Sequence, residues 1–109
     1  MKLTDKEMEV MVVLWDNARP MTAAELIEVS DKRTWRDNSI YTILNTLIKK
    51  GAMVLTDYKP TMTNNARAYV PIITFEEYMV KHIKSARDET GVRLNIPSLI
   101  EQLLEIEEG

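Results

Sequence analysis

Residues 39–51 read Ser-Ile-Tyr-Thr-Ile-Leu-Asn-Thr-Leu-Ile-Lys-Lys-Gly. Ile40, Ile43, Leu44, Leu47 and Ile48 recur at i, i+3, i+4, i+7 and i+8, the spacing that gathers aliphatic side chains on one face of a helix. The opposite face carries Tyr41, Thr42, Asn45, Thr46 and Lys49: hydrogen-bonding groups and a positive charge, with no carboxylate. The solvated side of a helix in an acidic protein ordinarily carries Glu or Asp. A side without them suits a surface lined with phosphates and base edges, such as the DNA major groove. A surface helix that happens to be short of acids would look the same, so the rest of the chain has to decide.

The 109 residues, 45% of them apolar, are enough for one domain with a real core, or a small domain with an appendage. No run of apolar residues is long enough to span a membrane, and Lys6, Glu7 and Glu9 interrupt any leader-like core near the start. Cysteine is absent, which rules out disulfides and thiolate metal sites and fits a reducing cytoplasm. Neither a metal nor a cofactor is expected. The net charge of −3 is unevenly spread. Residues 32–67 hold seven bases (Lys32, Arg33, Arg36, Lys49, Lys50, Lys59, Arg67) against two acids, Asp37 and Asp57. Residues 74–109 hold four bases against eight acids. The local field decides phosphate binding within a Debye length of about 8 Å, so a positive middle is compatible with nucleic acid.

Three capping boxes, Thr4 with Glu7, Thr22 with Glu25 and Thr74 with Glu77, each mark a helix start. The first helix is expected over 5–17, with Met8, Met11, Val12 and Trp15 as its stripe and Val10, Val13 and Leu14 beside it. The second is expected over about 23–30, with Ala23, Leu26 and Ile27 inward. A polar connector follows, and Trp35 within it is expected to plug the core. Asn38 or Ser39 is expected to cap the third helix, and Gly51 to end it after Lys49-Lys50. Residues 53–58 and 68–71 then read as two strands around a long turn-rich tip at 59–67, a β-hairpin. After Pro71 the composition becomes acidic and helical. Phe75, Tyr78, Met79, His82, Ile83 and Ala86 form one stripe, Gly91 breaks it, and a last helix starts near Pro97 with Ile96, Leu99, Ile100, Leu103 and Leu104 on one face.

Three helices and a two-stranded wing describe a mainly α chain of winged helix-turn-helix class, here followed by a two-helix segment. The expected division is 1–73 for the winged domain and 74–109 for the tail. In such folds the second helix of the motif, here 39–50, lies in the major groove. The tail is too short for a core of its own. Its apolar stripes call for a surface to cover them, and a second copy of the chain meets that need with two-fold symmetry. Phe75, Tyr78, Met79, His82, Ile83, Ile96, Leu99, Ile100, Leu103 and Leu104 are the expected dimer contacts.

These segments together resemble the penicillinase repressor family of bacterial winged-helix regulators. Leu3-Thr-Asp-Lys-Glu-Met-Glu-Val-Met and Leu14-Trp15 are similar to its opening helix, and Thr22-Ala-Ala-Glu-Leu26 to its second. Trp35 followed by Ser39-Ile-Tyr-Thr-Ile-Leu-Asn-Thr-Leu47 and Lys50-Gly51 is similar to its third, and Arg67-x-Tyr69-x-Pro71 to the return strand of its wing. The resemblance covers residues 3–79 well and the tail in character only. It implies a homodimeric repressor on an inverted-repeat operator, dimerised through the C-terminal helices, with a regulatory protease as a further partner in antibiotic-responsive members. Two positions depart from the pattern: Thr46 stands at a common Arg and Ser39 at a common Thr, so base preference is expected to differ. Copper-responsive relatives bind metal through C-terminal cysteines, which this chain lacks.

An enzyme is not expected: no catalytic residue is assigned, the single histidine lies on an apolar stripe, and three glycines leave no phosphate-cradling loop. Two other classes remain as alternatives. One is a winged-helix module that binds protein; such modules expose apolar or acidic residues where this chain has Thr, Asn, Tyr and Lys. The other is a ligand-sensing regulator with a pocket at the dimer interface near Tyr78, Met79 and His82. The reading adopted is a cytoplasmic DNA-binding repressor without membrane contact. Ser39, Tyr41, Thr42, Asn45 and Thr46 are expected to read bases. Lys32, Arg33, Arg36, Lys49, Lys59 and Arg67 are expected to hold phosphates.

Overall fold

The computed structural model describes the backbone of residues 1–60 and 65–108, and the side chains of all of these but 57–60, 65 and 66. In chain order the elements are α1 (Asp5–Asn17), β1 (Met21–Thr22), α2 (Ala23–Val29), α3 (Ile40–Lys49), β2 (Met53–Pro60), β3 (Asn65–Pro71), α4 (Phe75–Thr90) and α5 (Ile96–Glu108). All three capping boxes form. In each, the threonine hydroxyl accepts the N3 backbone N–H while the glutamate accepts the threonine N–H, satisfying two otherwise orphaned donors.

The third helix starts differently from expectation. Neither Asn38 nor Ser39 makes a side-chain cap. Instead a single 3₁₀ turn, Asp37–Ser39, leads into α3, with the Ser39 N–H donating to the Arg36 carbonyl at 2.9 Å. A tightened turn satisfies the first donors through backbone alone. The other end is as expected. Gly51 takes a left-handed φ of 78°, its N–H donates to Ile48 O, and the Ala52 N–H donates to Leu47 O, a paired closure that only a residue tolerant of positive φ allows.

The core is built around α1. Val10, Met11 and Leu14 of α1 are fully buried with Met21, Leu26, Ile40, Leu44, Leu47 and Met53. The inward face of α1 is therefore turned by about one residue from the Met8–Met11–Val12–Trp15 stripe. Met8 and Trp15 flank the core, Val12 is exposed, and Glu7 is buried in line with Val10, Met11 and Leu14. Trp35 does plug the core from the connector, at 3% exposure, with the Arg33 guanidinium 4.5 Å above its ring.

The sheet has three strands in the order β1-β3-β2, all antiparallel, rather than the expected two. β1 pairs Met21 with Tyr69 and Thr22 with Ala68, so the return strand is hydrogen-bonded on both sides. β2 and β3 also run further towards the tip, with Lys59 opposite Ala66 and Pro60 opposite Asn65. Ladder pairing overrides the turn-like composition there. The register shifts between Leu55 and Tyr58, where β2 holds an extra residue against β3. Residues 61–64 of the expected tip lie outside the described residues.

The tail is rooted by Trp15. Its indole Nε1 donates to the Ile73 carbonyl at 3.0 Å, and its ring lies 5.3 Å from Phe75 and 6.1 Å from Tyr78. Tyr78 is consequently buried within its own chain, at 5% exposure. This corrects its assignment as a dimer contact: an aromatic on α1 already covers it. Beyond that root, α4 has no buried residue and α5 has none at all. Asn95 caps α5 by accepting the Ser98 N–H at 3.0 Å. The radius of gyration, 16.6 Å, exceeds the roughly 13 Å of a compact chain of this length, consistent with a projecting tail.

Leu44 is fully buried between α3 and the helices behind it. Leu44→Ala is expected to destabilise the fold by about 2–5 kcal/mol, read as a lower urea midpoint at unchanged m-value.

Candidate nucleic-acid interface

The aliphatic side of α3 faces the core as its spacing demands: Ile40, Ile43, Leu44 and Leu47 are buried and Ile48 is half-buried. The other side is consequently turned out. Tyr41 is 61% exposed, Thr42, Asn45 and Lys49 are exposed, and Ser39 and Thr46 are half-buried. The Thr46 hydroxyl donates to the Thr42 carbonyl at 2.9 Å, which fixes its rotamer and leaves its oxygen able to accept. The face offers an amide, hydroxyls and an ammonium group, and no acid.

The flanking bases divide. Lys32, Arg36 and Arg67 are exposed. Arg33 is engaged by its own chain: it pairs with Asp37, stacks on Trp35, and its side chain is only 21% exposed. The expectation that Arg33 holds a phosphate therefore meets a guanidinium that is already organising the connector. The side chain of Lys59 lies outside the described residues. Tyr69, buried in β3, has its phenol pushed above the ordinary value by burial, then by Tyr41, with Arg67 pulling the other way.

The tail presents a second, apolar surface. Ile96, Ile100, Leu103 and Leu104 are each about half exposed, Phe75 and Met79 somewhat less so, and Ile83 and Leu99 are half-buried. His82 is exposed, its ring 6.1 Å from Tyr78. Tyr78 faces the core and His82 does not, and the groove of about 360 Å³ between α4 and α5 is lined by other residues, Val80, Ile83, Leu94 and Leu99 among them. The described residues contain no group of three or more His, Asp or Glu placed to hold a metal ion.

Three helices, a small antiparallel sheet whose last two strands form a wing, and a third helix with one side bare make this a winged helix-turn-helix protein with a helical tail. The sequence profile of the penicillinase repressor family matches residues 3–108, and the chain belongs to that family. It is 40% identical over 52 residues to the penicillinase repressor of Bacillus licheniformis, a stretch that makes up 48% of this chain and 41% of that one. The match thus spans less than half the length of that relative. The fold is similar to that of the ferric uptake regulator from Francisella tularensis, solved with iron, at a TM-score of 0.51 and 14% identity over 65% of this chain and 53% of the other.

Two interactions behind α3, Lys50 with Glu7 and Thr34 with Glu9, gave no signal in the sequence, although the Thr4 box that Glu7 also closes did. The Glu7 carboxylate accepts the Thr4 N–H at 2.9 Å and the Lys50 ammonium at 2.5 Å, and Lys50 also donates to the Lys2 carbonyl at 2.9 Å. The Glu9 carboxylate accepts the Thr34 N–H at 2.7 Å and its hydroxyl at 2.5 Å. Burial by itself would raise the Glu7 carboxyl. The Lys50 hydrogen bond, the Thr4 N–H, the Lys50 charge and the Thr4 hydroxyl outweigh it and hold Glu7 below its ordinary 4.5. A carboxyl lowered on folding adds stability above its unfolded value and loses it as pH falls through the folded one. Between about pH 7 and about pH 3 the wild-type melting temperature is therefore expected to fall more steeply than that of Glu7→Gln, as followed by circular dichroism.

Proposed function

We propose that this protein is a transcriptional repressor that binds double-stranded DNA as a homodimer on an inverted-repeat operator. The observation that carries this reading is the outward, carboxylate-free side of α3. Family membership and the winged fold support it. Thr42, Asn45 and Thr46 read base edges, assisted by Ser39 and Tyr41. Asn is suited to adenine and Thr to the thymine methyl, so each half-site has A·T content. Lys32, Arg36, Lys49, Lys59 and Arg67 position the duplex through phosphates. Arg33 shapes the connector that carries Lys32 and Arg36.

On this reading residues 1–73 form the DNA-binding domain and 74–109 the dimerisation segment. The exposed apolar side chains of α5 support that division. Side chains of this size gain about 25 cal/mol for each Å² removed from water, and α5 covers none of them completely within its own chain. Met79, Ile83, Ile96, Leu99, Ile100, Leu103 and Leu104 meet a second copy, with Phe75 and His82 at the margin. A two-fold dimer places two α3 helices about 34–36 Å apart, one turn of DNA. No described helix is long and apolar enough to cross a membrane, and the setting proposed is the cytoplasm. A regulatory protease that cuts the tail would end repression by separating the two copies.

Arg36→Ala is expected to weaken binding to all sequences alike and to flatten the salt dependence by about 0.9 in log–log slope. Asn45→Ala is expected to lose about 1–3 kcal/mol on the selected site and little on a scrambled one. Fluorescence anisotropy on both duplexes at several salt concentrations reads both effects. Unchanged site preference after Asn45→Ala would remove α3 from the role of reader. Leu103→Asp is expected to give monomers by sedimentation and to abolish tight operator binding; a monodisperse dimer would refute the part assigned to α5.

A further inference from the structure

We infer that Glu7 and Glu9 of α1 are positioning residues for operator recognition, bracing the two ends of the reading unit from behind. The inference rests on the DNA-binding reading above. Glu9 holds Thr34, in the connector just ahead of Trp35 and Arg36, through both its N–H and its hydroxyl. Glu7 holds Lys50, the residue that closes α3, and Lys50 reaches on to the Lys2 carbonyl. Every residue assigned to base reading lies between these two anchors. Glu7 is 5% exposed and the Lys50 side chain 31%, so this lysine is tied to α1, whereas its neighbour Lys49 is free to face a ligand.

Such a brace matters unequally to the two kinds of DNA binding. Non-specific binding depends on charge and tolerates small shifts of the protein on the duplex. Base reading requires donors and acceptors to be held to within about 0.5 Å of their partners. Loosening either anchor therefore reduces discrimination and leaves the phosphate contacts in place. A merely structural role would lower the melting temperature and leave the ratio of specific to non-specific affinity intact in molecules that remain folded. Lys50, though it belongs to the basic stretch, makes no phosphate contact.

The experiment uses Glu9→Ala, Glu9→Gln, Thr34→Val and Lys50→Met in the full chain. Ala is the best helix former, so the first of these spares α1 itself, and Thr34→Val reaches the same anchor from the other side should a change in α1 impair folding. The probes are the duplex most enriched by the wild-type protein from a random-sequence library and a scrambled duplex of the same composition. Affinities are measured over a range of salt, at a temperature where circular dichroism shows each variant folded. Glu9→Ala and Lys50→Met are each expected to lose about five- to tenfold on the enriched duplex, with scrambled-duplex affinity little changed. Glu9→Gln removes the same charge but keeps an acceptor for Thr34, and it is expected to retain more discrimination than Glu9→Ala. Equal losses in the two, or an unchanged specificity ratio in Glu9→Ala, Thr34→Val and Lys50→Met, would overturn the brace. A salt slope reduced by about 0.9 in Lys50→Met would make Lys50 a phosphate ligand and likewise overturn it. Failure of the wild-type protein to enrich any sequence would instead defeat the DNA-reading proposal, and this inference with it.

Discussion

The burial of one side of α3 against α1 is the constraint from which the rest of the architecture follows. Val10, Met11 and Leu14 close the core against Ile40, Leu44 and Leu47, and none of these side chains reaches solvent. A ten-residue helix packed in this way has only one direction left for its other side. What lies there is a separate set of residues, Tyr41, Thr42, Asn45 and Lys49 among them, which the core does not use. Helix α1 also anchors everything around this contact. It meets the connector at Glu9, the end of α3 at Glu7, and the tail at Trp15.

The helices were legible because their signals are local. A threonine and a glutamate three residues on close a hydrogen-bonded box with no help from the rest of the chain, and an i, i+3, i+4 repeat needs only one apolar partner surface. Trp35 was legible for a related reason: an indole among charged neighbours has few places to go except inward. The two-residue strand β1 was not legible. Met21 and Thr22 have no periodicity, and they are strand only because β3 passes beside them. Strand ends at 59–60 and 65–67 were hidden by turn-forming residues whose preference yields to ladder pairing.

Two side chains show where periodicity misleads at the level of the site. The apolar stripe of α1 pointed one residue away from the true inward face because Glu7 looked like a solvent residue. Its burial is offset by Lys50, far along the chain, together with the Thr4 N–H of the capping box, and nothing near Glu7 announces the lysine. Tyr78 looked interchangeable with Met79 and Ile83 on the stripe of α4. The nearby Trp15 singles it out, and α4 is thereby tied to the winged domain by its first turns and released from it afterwards. Among the basic residues, composition alone gave Arg33 and Arg36 equal standing, while packing on Trp35 and the pair with Asp37 set them apart.

The uneven distribution of charge gives the molecule a pronounced electric dipole, positive through the connector, α3 and wing and negative through the tail, where residues 74–109 carry four bases and eight acids. Near a polyanion this dipole exerts a torque before any atom touches. The basic elements are drawn in and the acidic helices are swung away, which shortens the orientational search that slows most macromolecular encounters. An overall negative chain can in this way approach a negatively charged polymer with its useful side already forward.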